Sequence, residues 1–244
     1  MSTEPSYKNS PSYTDHLGRN RQYLRDMILG VNDGLVSMFL LVAGVVGGGM
    51  ATRNVLLTGV AGAIAGAISM AAGEYIATKS QEEVFAGELS LEKEHIRDYR
   101  QEELKELGDL LEDIGLRGRL RDEVVAHFGE DDGDLLKVMT ALEFGVVETE
   151  RRSPFRAMFM SGGLFLLGAL PSVLPFGFVS KPSTGLLIAT GGAVLGLLGV
   201  GAVKTWATRG DPLRAALENL LVAAGGGGLA YGAGVLFDHL VNGG

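Results

Sequence analysis

No cysteine occurs anywhere in the 244 residues. Disulfides, thiolate metal sites and redox chemistry at sulfur are thereby excluded, and any metal must be held by oxygen, imidazole or thioether. Imidazole is itself scarce, at four histidines, and the whole of 81–114 lacks proline. Positive charge is thin where the chain is most polar. Residues 79–153 hold 21 of the 29 acidic side chains against 11 of the 21 basic ones, a local net of −10 inside a total of −8. Such a surface repels phosphate, so no nucleic-acid partner is expected.

What is abundant is apolar sequence. The chain is 46% hydrophobic with 37 glycines and a mean hydropathy of +0.22, outside the range of ordinary water-soluble domains. Apolar runs fall at about 29–50, 55–78, 157–177, 184–203 and 215–237, each near the roughly 20 residues that cross a bilayer. The first run is too long for a signal core and no small-x-small cleavage site precedes polar sequence, so it is expected to stay in the membrane. The fold class expected is an all-α integral membrane protein, with five transmembrane helices and a cytoplasmic three-helix acidic insert between the second and third.

Basic residues give the orientation. Arg19, Arg21 and Arg25 precede the first run, Lys79, Arg151, Arg152 and Arg156 flank the insert, and Lys204, Arg209 and Arg214 lie between the last two runs. The other side has Arg53 and Lys181. The positive-inside rule then puts the N-terminus and the insert in the cytoplasm and the C-terminus opposite. The expected layout is a flexible tail (1–25), transmembrane helices 1–2 (26–78), a helical metal-binding insert (79–153) and transmembrane helices 3–5 (154–240).

Within the insert, one helix is expected to leave the second span and run to Gly115, a second to cover about 117–128 and stop at Gly129, and a third to cover about 133–150. Pro154 marks the start of the third span. Gly59, Gly62 and Gly66, and likewise Gly192, Gly196 and Gly199, have spacing that lets helix backbones approach closely, in the bundle or in a dimer. The run "AAGGGGLAYGAG" fits either packing or a helix break.

Two spans carry acids inside their apolar runs: Asp33 in "ILGVNDGLVSMF" and Glu74 in "GAISMAAGEYIATKSQEEV". A carboxylate in hydrocarbon costs roughly 2.5–3.5 kcal/mol on insertion scales, so it usually lines a pathway or pairs with something. The spans run in opposite directions, which brings Asp33 and Glu74 to similar depth near the cytoplasmic face. Met70 lies one turn before Glu74 on the same face. Two carboxylates and a thioether suit a divalent transition metal, and the same carboxylates accept protons, so metal and proton compete.

On the insert, eleven residues make about three helical turns, so Glu92 and Glu103 share a face, as do His95 and Glu106. Met139 and Glu143 repeat the i,i+4 Met/Glu arrangement. Folded against the stripe, they would complete a carboxylate, imidazole and thioether cluster of the kind helical bundles use for transition metals. The plainer alternatives are a solvated acidic face and a core methionine. His16, His127 and His239 have no comparable partners.

The segments "MILGVNDGLVSMFLLVAGVVG", "GAISMAAGEYIATKSQEEV" and "SPFRAMFMSGGLFLLGALPSVLPF" closely resemble the vacuolar iron transporter family, over about 25–240. The resemblance implies a five-helix dimer that exports ferrous iron from the cytoplasm in exchange for protons, with manganese and related ions as further cargo. It implies translocation through Asp33, Met70 and Glu74, and ion collection at Glu92, Glu103, Glu106, Met139 and Glu143. His95 stands where the family has another glutamate. Imidazole binds metal only when neutral, so loading is expected to weaken below about pH 6.

The expected partners are therefore the lipid bilayer, protons, Fe2+ with Mn2+, Zn2+, Co2+ and Ni2+ as further candidates, and a second copy of the chain. No catalytic residue and no resident cofactor are expected, since the protein reads as a transporter and not an enzyme. A diiron-type oxidase would need Glu-x-x-His on two helices, and Glu92-x-x-His95 supplies one. A metal sensor without transport would have no use for Asp33 and Glu74. The membrane expected is a prokaryotic plasma membrane, or the vacuolar membrane in a eukaryote.

Overall fold

The computed structural model describes residues 20–145, 152–208 and 212–242. These form eight α-helices and a short 3-10 turn, and among the described residues there is no strand. The helices are α1 (Asn20–Gly47), α2 (Thr52–Asp98), α3 (Arg100–Asp113), α4 (Arg119–Phe128), α5 (Asp132–Glu143), α6 (Pro154–Val173), α7 (Pro182–Thr208) and α8 (Pro212–Asn242). Parts of α1, α2, α6, α7 and α8 are long and apolar enough to cross a membrane, five in all. Leu57, Ile64 and Ile68 on α2 and Leu221, Leu229 and Leu240 on α8 stand bare. In water such rows would be a liability, whereas hydrocarbon covers them at no cost. The chain is an all-helical integral membrane protein.

Two compact units divide the chain: the residues up to Tyr75 with those from Pro154 onward, and Ile76–Ser153. The first is organised around α1. A Cβ on Gly34 would run into the main chain of Phe165, and one on Gly168 into the carbonyl of Val31, so α1 and α6 meet backbone to backbone. Gly47 and Gly234 do the same between α1 and α8. Close approach of this kind is how helices associate where no water is expelled between them. Ser172, fully buried, donates to the main-chain carbonyl of Leu35 at 3.3 Å and ties α6 to α1 again.

Other glycines pack against side chains instead. Gly226 and Gly227 face Leu40 and Phe39, and α8 runs unbroken from Pro212 to Asn242, so its glycine run is a packing surface and not a break. Gly192 meets Pro171, the proline inside α6, and Gly196 meets Leu35. Beyond Gly199 the space is open. Gly49, at φ +73, ends α1: its N–H reaches Val46 and that of Met50 reaches Val45, the paired bonds of a glycine-capped terminus. One expected boundary in this unit shifts. The first helix already begins at Asn20, inside the stretch expected to be a tail, and the rest of that tail lies outside the described residues.

The second unit corrects the expectation of one helix from the second span to Gly115. The helix stops at Asp98, and Tyr99, at φ −130 and ψ 36, separates it from α3. No proline or glycine marks the spot. The cause is tertiary: breaking the helix lets Ile96 join Leu107, Leu111, Leu135 and Met139 in a single apolar core. Arg100, at the start of α3, donates to the Gly129 carbonyl at 2.6 Å and pairs with Asp132, which holds the reversed chain in place. Gly115, at φ +98, caps α3 as expected, and the Asp131 side chain caps α5 by accepting from the N–H of Asp134 at 2.9 Å. The helix expected at about 133–150 ends at Glu143, and residues 146–151 lie outside the described residues.

Candidate metal sites

The first site sits between α1 and α2. A cavity of about 450 Å³ is lined on α1 by Asp33 and Ser37 and on α2 by Ser69 and Met70, with Met38 and Phe165 as apolar walls. At about 30 Å³ per water, there is room for an ion that keeps part of its hydration shell. Gly62 and Gly66 keep the space open, because a Cβ on either would meet Leu41 or the Phe165 ring. The Ser37 hydroxyl donates to Oδ1 of Asp33 at 2.8 Å. Glu74, half-buried and one turn beyond Met70, lies outside the lining. The structure thus brings Asp33 and Met70 to one cavity and leaves Glu74 beside it.

The second site is in the insert. Glu92 and His95 come from α2 and Glu103 from α3, and one ligand atom from each lies within 4.8 Å of the others. They converge because the chain reverses at Tyr99, not because they share the face of one helix. Glu92 and Glu103 are each 4% exposed, and Oε1 of Glu92 and Oε2 of Glu103 are buried with no hydrogen-bond partner. Leaving such atoms unmatched costs about 1–3 kcal/mol each. Nδ1 of His95 lies 3.4 Å from Oε1 of Glu103.

The electrostatics point the same way. Burial, and then the charges of Glu103, Glu143 and Glu106, push the Glu92 carboxyl up to about 7. Burial and Glu106 raise Glu103, with His95 acting against them. Glu143 is raised by burial and then by Glu106, Glu103 and Glu88. Carboxyls raised together in one cluster mark a place short of positive charge. A divalent cation held by carboxylate oxygen and imidazole supplies it, and that donor set fits iron, manganese, cobalt, nickel and zinc. Glu106 and Glu143 are exposed at the margin of the cluster. Met139 is fully buried in the core with Leu107 and Leu135.

Three residues at these sites escaped the reading of the sequence: Ser37 and Ser69 in the cavity, and Glu88 beside Glu143. The i,i+4 step from Asp33 to Ser37 was the available signal for one of them. Nothing in the spacing of Glu88 announces its neighbour on α5.

The sequence model described as the VIT family matches residues 24–235, from early α1 into α8. Vacuolar iron transporter 1 of Tulipa gesneriana is 29% identical over 208 residues, 85% of this chain and 84% of the relative. Vacuolar iron transporter 2 of Oryza sativa subsp. japonica is 31% identical over 214 residues, 86% of each. Protein CCC1 of Saccharomyces cerevisiae is 31% identical over 229 residues, 89% of this chain and 69% of the relative. A match that takes in both carboxylate sites and reaches all five membrane-length helices leaves one conclusion: the chain belongs to the VIT family.

Proposed function

We propose that the protein carries divalent transition-metal ions across a membrane, ferrous iron first and manganese as further cargo, moving them out of the cytoplasm in exchange for protons. The observation that carries this reading is the cavity between two membrane-length helices, with the Asp33 carboxylate and the Met70 thioether in its wall. In hydrocarbon a carboxylate is tolerable as the neutral acid or beside a cation, so proton and metal are natural alternatives there. Glu74, one turn from Met70, extends the path toward the cytoplasm. The names of the relatives support iron as cargo.

The insert serves as the collecting site on the cytoplasmic side. Its ligands are Glu92, His95 and Glu103, with Glu106 and Glu143 at the margin and Met139 as a thioether behind them. The clustered basic residues next to the spans support an N-terminus and insert in the cytoplasm and a C-terminus opposite. The protein acts as a homodimer, as the resemblance to the family implies.

Purified protein reconstituted in liposomes tests the reading. Fe2+ and Mn2+ should enter the vesicles, faster when the compartment receiving metal is acidic, with protons moving the opposite way. Competition among iron, manganese, cobalt, nickel and zinc ranks the cargo. Metal flux that ignores the pH gradient would remove the exchange, and absence of flux would remove transport.

A further inference from the structure

A hydroxyl in a helix has a default partner, the main-chain carbonyl four residues back. Thr140, Thr190 and Thr205 take it, donating to the carbonyls of Leu136, Leu186 and Gly201 at 2.6, 2.8 and 2.8 Å. Ser37 does not. It passes over the main chain and donates instead to the side chain of Asp33, the residue four back, at 2.8 Å. Both line the α1–α2 cavity, and Ser69 and Met70 line it from α2.

A hydroxyl has one proton and two lone pairs. With its proton given to Asp33, Oγ of Ser37 offers only lone pairs to the cavity. A cation or the hydrogen of a water can use them, whereas a second acceptor cannot. The same bond restrains the carboxylate, because a hydrogen bond at one oxygen fixes the side-chain rotation that decides where the other points. Hard oxygen donors favour manganese and iron, and a thioether favours softer ions, so the balance between the two walls bears on which metal is held.

We infer that Ser37 is a positioning residue of the intramembrane site: it holds the Asp33 carboxylate at the cavity wall and, with Ser69, supplies the neutral oxygen that tilts the site toward hard divalent ions. The inference rests on the reading of this cavity as the translocation site. Thr190, on α7 and outside the cavity, is the matched control for loss of a helix hydroxyl.

The test uses the full-length protein in liposomes, with initial uptake rates of Mn2+ and Co2+ measured over a range of concentrations. Ser37→Ala should raise the KM for Mn2+ about tenfold with little change in maximal rate, the size of effect typical of groups that orient metal ligands. It should also lower the preference for Mn2+ over Co2+. Ser37→Thr should restore both, and Thr190→Ala should match the wild type. A wild-type KM and preference in Ser37→Ala overturn the inference. So does a folded Ser37→Thr that fails to restore them, since a loss that a hydroxyl cannot repair is a loss of packing. If Ser37→Ala is not recovered folded, Ser37→Gly, which also removes the hydroxyl and adds no ligand, replaces it under the same criteria. Asp33→Asn, assayed alongside, separates the layers. Wild-type transport by Asp33→Asn would overturn the cavity reading and this inference with it, whereas an inactive Asp33→Asn beside an unchanged Ser37→Ala overturns the inference alone.

Discussion

Nδ1 of His95 and Oε1 of Glu103 lie 3.4 Å apart although the helix carrying the first ends before the helix carrying the second begins. The pair exists only when α3 is folded back, so ligand geometry here is a tertiary property. Replacing Glu103 and Glu106 by glutamine should weaken Mn2+ binding to the insert by roughly tenfold or more. Replacing Glu112 and Asp113 by their amides changes the charge equally but touches two exposed residues farther along α3, and should cost little. Titration of the full-length protein in an Asp33→Asn background isolates the insert. Equal losses would mean that a diffuse negative field, not a ligand set, attracts the ion.

The raised carboxyls fix a pH dependence. An acid whose folded pKa lies above its unfolded value stabilises the fold fully only below the unfolded pKa, near 4.3, and loses that contribution as pH rises through the folded one. For Glu92 that upper limit is about 7, and Glu103 and Glu143 shift in the same direction. Without metal, hydrogen-exchange protection of α3, corrected for intrinsic rates, should therefore fall between pH 5 and pH 8. With saturating Mn2+ it should hold. Metal affinity should drop as pH falls through about 7, where Glu92 takes up its proton. Protection that rises with pH in the metal-free protein would contradict the assignment of these shifts.

Transport should depend on the intramembrane carboxylates more steeply than on the insert. Asp33→Ala and Glu74→Ala should each bring Fe2+ flux close to the protein-free background, because each removes a potential ligand and a compensating charge from a low-dielectric site. Both should still elute as folded protein. Because Glu74 lies outside the cavity lining, its loss should leave metal binding at Asp33 less affected than flux. Wild-type flux in both variants would remove the pathway.

Gly34→Ala asks whether the backbone contact of α1 and α6 bears weight. The added Cβ meets the main chain of Phe165, which cannot swing aside as a side chain would. Overpacking of this kind costs about 1–3 kcal/mol, enough to lower the thermal midpoint of the detergent-solubilised protein by several degrees. Gly73→Ala, where the space is open, is the control and should leave the midpoint unchanged or raise it.

The membrane-length helices were legible because one signal, a long apolar run, is local and redundant. Asp33, Glu74, Glu92 and Glu103 were legible as candidates for a similar reason: a carboxylate is conspicuous in an apolar run, and regular spacing is conspicuous on a helix. The break at Tyr99 was not. Residues 94–107 contain neither proline nor glycine, and the reason to interrupt the helix there is the core that Ile96 shares with Leu135 and Met139, some forty residues away. The eleven-residue spacing of Glu92 and Glu103 thus suggested the right partners through the wrong geometry. Ser37 was passed over because serine is unremarkable in a membrane helix until its hydrogen bond is known.

Gly34 and Gly168 press each helix against the other's main chain, and that arrangement has a mechanical consequence. Neither α1 nor α6 can slide a turn along the other without driving a side chain into a carbonyl, so the two form a single stiff strut. The α2 flank of α1 is built differently: Gly62 and Gly66 face Leu41, Met38 and the Phe165 ring, side chains and not main chain. Under the proposed transport role, a change in the shape of the cavity falls on the α1–α2 seam, where side chains can turn, and not on the α1–α6 seam that holds Asp33 in place.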